Sequence, residues 1–151
     1  MKLVPFESSS ELMCRYLKDI SGQWSGHFWP YEEVLSSLSQ ASNTLMMIFD
    51  ESQVYGAIFY NFIVHESELL YLYVSPEARG RGLAKQLMMA YFHDTGQRST
   101  EAYFLEVRES NRGAIALYET LEYKEIDRRK SYYKDGETAI IMKRDQIELP
   151  G

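Results

Sequence analysis

The chain has 151 residues, of which 45% are hydrophobic and 14% aromatic, with Tyr 12 and Phe 7. That is one domain's length with enough apolar side chain for a core, which excludes a globally disordered chain. Lys and Arg number 16 against 22 Asp and Glu, a net charge of −6, which argues against a broad nucleic-acid surface, because such binding neutralises many phosphates.

Residues 2–6 read as a short strand. Ser8-Ser9-Ser10-Glu11 has the look of an N-cap region, with Glu11 three residues after Ser8, and a helix to about Ile20 follows. An irregular aromatic stretch, 21–31, contains Trp24, His27, Phe28 and Trp29. A second helix is expected over 31–40. Three strands come next, at 44–49, 54–64 and 68–74. The short turns between them, the second at His65-Glu66-Ser67, predict an antiparallel meander.

Beyond Val74 the pattern changes. Ser75-Pro76 breaks the strand, and Arg79-Gly80-Arg81-Gly82-Leu83-Ala84-Lys85 leads into a helix over 82–95. Leu83, Leu87 and Tyr91 recur at i, i+4 and i+8, one helical face. A strand at 102–107, a helix at 111–121 and strands at 123–129 and 138–143 complete the chain. Strand 68–74, helix 82–95 and strand 102–107 make a βαβ unit, long enough for a parallel, right-handed crossover. The fold class expected is α/β or mixed α+β: one domain over 1–151, six or seven strands in a mostly antiparallel sheet, and a central parallel βαβ unit with flanking helices.

Cys14 is the only cysteine, which leaves no internal disulfide and no cysteine-based zinc site. His27, His65 and His93 share no ligand spacing, so no metal is expected. Glu7 comes too early for a signal peptide, and no run approaches the ~20 apolar residues of a membrane span. A cytoplasmic setting without membrane or nucleic-acid partners is expected, as a monomer or homodimer. Met46, Met47, Met88, Met89 and Cys14 read as core filler.

The segment 79–85 is the most chemically specific feature. The first N–H groups of a helix lack intrahelical acceptors and carry the positive end of its dipole. Glycines let ligand oxygens approach the backbone. Arg79, Arg81 and Lys85 add three cations in seven residues. The combination describes a phosphate or pyrophosphate site; the bland alternative is an exposed turn whose glycines permit the bend.

The pattern Arg79-x-x-Gly82-x-Ala84 after a strand resembles the acyl-CoA pyrophosphate loop of the GNAT-type N-acetyltransferases. Leu105-Glu106-Val107-Arg108, Ser110-Asn111, Ala114 to Glu119, Arg128-Arg129, Tyr132-Tyr133 and Ala139 to Met142 are similar to the ribosomal-protein-alanine branch of that family. The likeness spans about residues 66–142. Ala84 stands where many relatives have Gly, and Ser75-Pro76 where Asp-Pro is frequent. The resemblance implies acetyl-CoA as co-substrate. It implies that the backbone of Leu72, Tyr73 and Val74 binds the pantetheine arm, that Gly80, Arg81, Gly82, Leu83, Ala84 and Lys85 cradle the pyrophosphate, and that Asn111 contacts the cofactor.

Acetyl transfer from a thioester needs a neutral amine, a stabilised oxyanion and a protonated leaving thiolate. An α-amine, with pKa ~7.7–8, is far easier to use than a lysine at ~10.4. The resemblance assigns Glu106 as general base and Tyr118 as general acid. On the residues alone, Glu106 also fits a strand-end ion pair with Arg108 or a lysine, and Tyr118 a core-edge packing residue. Tyr118 follows Asn111 by seven residues, placing both on one helix face. Ser110 or Asn111 suits the N-cap. A backbone N–H near Val74 is the expected oxyanion donor. Trp24, Trp29, Tyr31, Tyr132 and Tyr133 either line a peptide groove or pack as core edge. Glu32, Glu33 and Glu109 either attract a basic substrate or form a solvated face. The function expected is acetyl transfer to a primary amine, foremost a protein N-terminus of the ribosomal-protein-alanine type. Transfer to a small amine or a lysine, and a non-catalytic acyl-CoA-binding module, are the alternatives.

Overall fold

The computed structural model describes residues 1–21 and 30–146. Its elements in chain order are β1 (Lys2–Pro5), α1 (Glu11–Ser21), α2 (Tyr31–Leu38), β2 (Asn43–Phe49), β3 (Val54–Ile63), β4 (Glu66–Val74), α3 (Leu83–Gly96), β5 (Ala102–Arg108), α4 (Arg112–Thr120), β6 (Lys124–Arg129) and β7 (Ala139–Asp145). Seven strands form one sheet in the order β1-β2-β3-β4-β5-β7-β6. Pairing is antiparallel at β1/β2, β2/β3, β5/β7 and β6/β7, and parallel at β4/β5. The expected mixed α/β class, the strand count and the parallel βαβ unit are all present. Trp24, His27, Phe28 and Trp29 lie outside the described residues.

The chain divides into two compact units, Met1–Asn61 with Tyr71–Met89, and Phe62–Leu70 with Ala90–Gly151. In the first, α1 buries Met13, Tyr16, Leu17 and Ile20, a face set by their helical spacing. Its cap is Ser10, whose Oγ accepts the Met13 N–H at 3.2 Å, rather than the Ser8/Glu11 box. β2 and β3 bury Leu45, Met47, Ile48 and the run Tyr55–Tyr60. Gly56 is required on β3. A Cβ there would stand 2.7 Å from the Tyr73 carbonyl oxygen and 3.1 Å from a Leu87 methyl, closer than packed atoms tolerate.

The second unit has an aromatic core. Tyr91 and Phe92 of α3 meet Tyr103 of β5 edge-on, at ring-centroid distances of 5.7 and 5.3 Å. Tyr123 stacks on Phe92 at 6.2 Å. Two of the buried hydroxyls are partnered: Tyr91 with Ser67 Oγ at 2.7 Å and Tyr103 with Thr95 Oγ1 at 2.9 Å. Such partners let buried tyrosines fill a core; the Tyr123 hydroxyl, by contrast, is buried without one.

Three local expectations need correction. The β3–β4 turn is Val64-His65, with φ of 44° and 67°, so β4 begins two residues early. Left-handed backbone at a β-branched residue is what sequence rules exclude; the Glu101 N–H bonded to the His65 carbonyl at 2.6 Å helps hold it. Met89 is exposed while Met47 and Met88 are buried, because Met89 lies off the apolar stripe of α3. Cys14 is half-buried, its thiol directed to the Ser8 carbonyl oxygen at 3.5 Å.

Candidate active site

The first unit carries the glycine-basic segment. β4 ends at Val74, and the Ser75 N–H bonds to the Tyr55 carbonyl at 2.8 Å. A single 3-10 turn, Pro76–Ala78, starts at the proline, whose missing N–H suits that place. Arg79 is then extended, and Gly80 and Gly82 take φ of +79° and +74°. Glycine alone adopts that backbone at no steric cost. A Cβ at either glycine would meet nothing within 4 Å, so the space over this backbone is open. Gln86 is the first α3 amide bonded back, to Gly82 O at 3.1 Å. The Leu83, Ala84 and Lys85 N–H groups therefore precede the intrahelical ladder.

Arg79, Arg81 and Lys85 are all exposed. The Arg79 Nε reaches back to the Val74 carbonyl at 3.4 Å. The Arg81 guanidinium lies 5.7 Å from the Tyr55 ring. The Tyr55 hydroxyl in turn donates to the Asp50 carboxylate, which also accepts the Ser52 and Gln53 N–H groups at 2.8 and 3.0 Å. Those hydrogen bonds, that of Tyr55 foremost, hold the Asp50 carboxyl well below its ordinary value. The Ser75 hydroxyl is buried with no hydrogen-bond partner. Open glycines, helix-start amides and three cations lie together in residues 79–85, a set whose chemistry fits a pyrophosphate group.

The second unit carries the ionisable candidates. Glu106 lies on β5 between buried Leu105 and Val107, so strand alternation turns it away from the core. Its side chain is 32% exposed and lies 3.8 Å from the Arg129 guanidinium. Tyr132 donates its hydroxyl proton to Glu106 Oε1 at 3.3 Å. The partner expected from sequence was Arg108 or a lysine. Arg108 instead binds Asp135 at 2.8 Å and Glu137 at 2.6 Å, with its guanidinium 4.1 Å from the Tyr133 ring. Tyr132 and Tyr133 meet edge-on at 5.2 Å.

Glu68, on β4, was not singled out from sequence. It pairs in register with Phe104 of the parallel β5, and it is half-buried. Burial pushes its carboxyl above the ordinary value, Glu106 adds to the rise, and Arg129 opposes it. The only sequence signal was a charged residue between Ser67 and Leu69 inside an apolar strand.

Asn111 is the N-cap of α4, its Oδ1 accepting the Ala114 N–H at 3.2 Å. Tyr118 is buried on the same helix, 5.8 Å from the Tyr123 ring. Burial raises its phenol well above the ordinary value, so it stays protonated at every physiological pH. Tyr31 packs beneath the Lys18 ammonium at 5.0 Å. Glu32 and Glu33 are exposed, and Glu109 pairs with Arg128 at 3.3 Å. No helix among the described residues is long and apolar enough to cross a membrane.

Residues 10–123 match the model of the acetyltransferase (GNAT) family. The [ribosomal protein bS18]-alanine N-acetyltransferase of Escherichia coli (strain K12) is 31% identical over 120 residues, covering 77% of this chain and 81% of that one. The crystal structure of the ribosomal-protein-S18-alanine N-acetyltransferase from Escherichia coli superposes with a TM-score of 0.84 at 24% identity, covering 99% of this chain and 96% of that one. An aminoglycoside 6'-N-acetyltransferase complexed with coenzyme A shares the fold at a TM-score of 0.82 and 14% identity, with all of both chains covered. The glycine-basic loop, the parallel βαβ unit and the family match lead to one assignment: this chain belongs to the acetyltransferase (GNAT) family.

Proposed function

We propose that this chain, with residues 1–151 as one catalytic domain, moves the acetyl group of acetyl-CoA to the α-amine at a protein N-terminus. The relation to the alanine N-acetyltransferase of Escherichia coli carries the choice of acceptor. The loop at 79–85, with its two left-handed glycines at a helix start, supports the co-substrate. The backbone of Leu72, Tyr73 and Val74 is the proposed rail for the pantetheine arm, and Asn111 a further contact.

The step is a direct displacement. The neutral amine attacks the thioester carbonyl, a C–N bond forms and the C–S bond breaks. Glu106, directly or through a water, takes the proton the amine must lose. Its partial exposure leaves it open to an incoming group, and Tyr132 and Arg129 hold it in place. Tyr118, kept protonated by burial, gives its proton to the leaving thiolate. A backbone N–H near Val74 is the proposed donor to the oxyanion.

A coenzyme A release assay on N-terminal peptides, lysine peptides and small amines tests this reading. Peptides with N-terminal alanine are expected to turn over fastest. Turnover of small amines alone refutes the protein acceptor; acetyl-CoA binding without any turnover refutes the enzyme.

A further inference from the structure

Resting on that reading, we infer that Glu68 is a positioning residue for proton uptake, forming with Glu106 a carboxylate pair on one face of the parallel strands β4 and β5.

The pairing register places this pair. Glu68 is opposite Phe104 and Leu69 opposite Leu105, and side chains alternate along a strand. Glu68, Phe104 and Glu106 therefore share a face, with Glu106 one pleat further on. Ser67, on the opposite face, bonds the Tyr91 hydroxyl of α3, which fixes which side is which. The charged groups that act on Glu68 are Glu106 from β5 and Arg129; Lys143 of β7 lies on the same face, opposite Phe104, and the Tyr91 phenol of α3 lies on the other face, against Ser67.

A half-buried carboxylate that shares a sheet face with a second one is disfavoured as an anion. Glu68 itself responds in that sense, raised by burial and by Glu106. When the amine surrenders its proton to Glu106, the charge relieved is that of the pair. Arg129, 3.8 Å from Glu106, is the counter-charge to both carboxylates and opposes the rise at Glu68. The proton passes from nitrogen to carboxylate oxygen, then to solvent once product leaves. No other reactant is needed.

Carboxyl-carbon NMR titration of Glu68 in the wild-type protein and in Glu106→Gln tests the pair without any acceptor. The Glu68 midpoint is expected to fall in Glu106→Gln and to rise in Arg129→Gln. A midpoint unmoved by both substitutions overturns the pair. The pH profile of kcat/KM for a peptide with N-terminal alanine gives the second test. In Glu68→Gln its acid limb is expected to move to lower pH and kcat to fall roughly tenfold, the low end of acid–base contributions, with KM for acetyl-CoA within about twofold. A profile that superposes on wild type overturns the role of Glu68 alone. If wild type fails to acetylate the peptide, the acceptor reading falls, and the titration still decides the pair.

Discussion

Arg108 and Glu137 close a 2.6 Å ion pair that ties the end of β5 to the segment between β6 and β7. The same Glu137 carboxylate accepts the Ser110 N–H at 2.7 Å, one residue before the α4 cap. Thus one acid sets both the approach to α4 and the loop that carries Tyr132. Its hydrogen bonds to Ser110 and Arg108 hold the Glu137 carboxyl below the ordinary value. A depressed carboxylate stabilises the fold above its unfolded pKa and ceases to do so as pH falls through the folded one. The Tm advantage of wild type over Glu137→Gln is therefore expected to be full near neutral pH. It should shrink below about pH 4.3, the ordinary glutamate value. Thermal melts of both proteins across that range check it, and a difference that grows on acidification contradicts it.

Arg81→Glu replaces a cation of the proposed pyrophosphate cradle by an anion. Charged hydrogen bonds contribute about 1.5–3 kcal/mol, so the acetyl-CoA Kd is expected to rise at least roughly tenfold. Calorimetric titration measures this directly. An unchanged Kd removes the loop assignment.

Glu106→Gln and Tyr118→Phe keep the shape of each side chain and remove its proton chemistry. A fall in kcat of roughly 10²–10⁴ is expected for Glu106→Gln, with acetyl-CoA binding unaffected in both. Steady-state rates and calorimetry on the same preparations separate the two quantities. Full activity of Glu106→Gln would leave the carboxylate as an ion-pair partner of Arg129 alone.

Gly56→Ala and Gly82→Ala should fail for different reasons. At Gly82 there is room for a methyl but the φ of +74° is wrong for alanine, costing about 1–2 kcal/mol. At Gly56 the methyl meets the Tyr73 carbonyl at 2.7 Å, an overpacking of about 1–3 kcal/mol. The clash falls on the strand proposed to bind pantetheine. Gly56→Ala is thus expected to weaken acetyl-CoA binding as well as stability. Denaturant unfolding paired with Kd measurement tests it.

Local chemistry is legible in the sequence alone. The segment Arg79 to Lys85, the helical stripe of Leu83, Leu87 and Tyr91 and the βαβ order each depend on neighbours close in the chain. The Asn111 cap is of the same kind, since its acceptor and the Ala114 N–H are three residues apart.

The partners of Glu106 were not legible. Glu106 stands opposite Ile141 and Arg129 opposite Ala139, and that register, spanning more than twenty residues, brings Arg129 and Tyr132 to it while Asp135 and Glu137 take Arg108. Glu68 is hidden for the same reason: its proximity to Glu106 exists only once β4 and β5 pair in parallel. The sequence by itself determined the class of fold and the glycine-basic segment Arg79 to Lys85 in a chain of net charge −6. Tertiary structure decided which carboxylates, cations and phenols meet, because cross-strand register is set by the packing of whole faces and not by spacing along the chain.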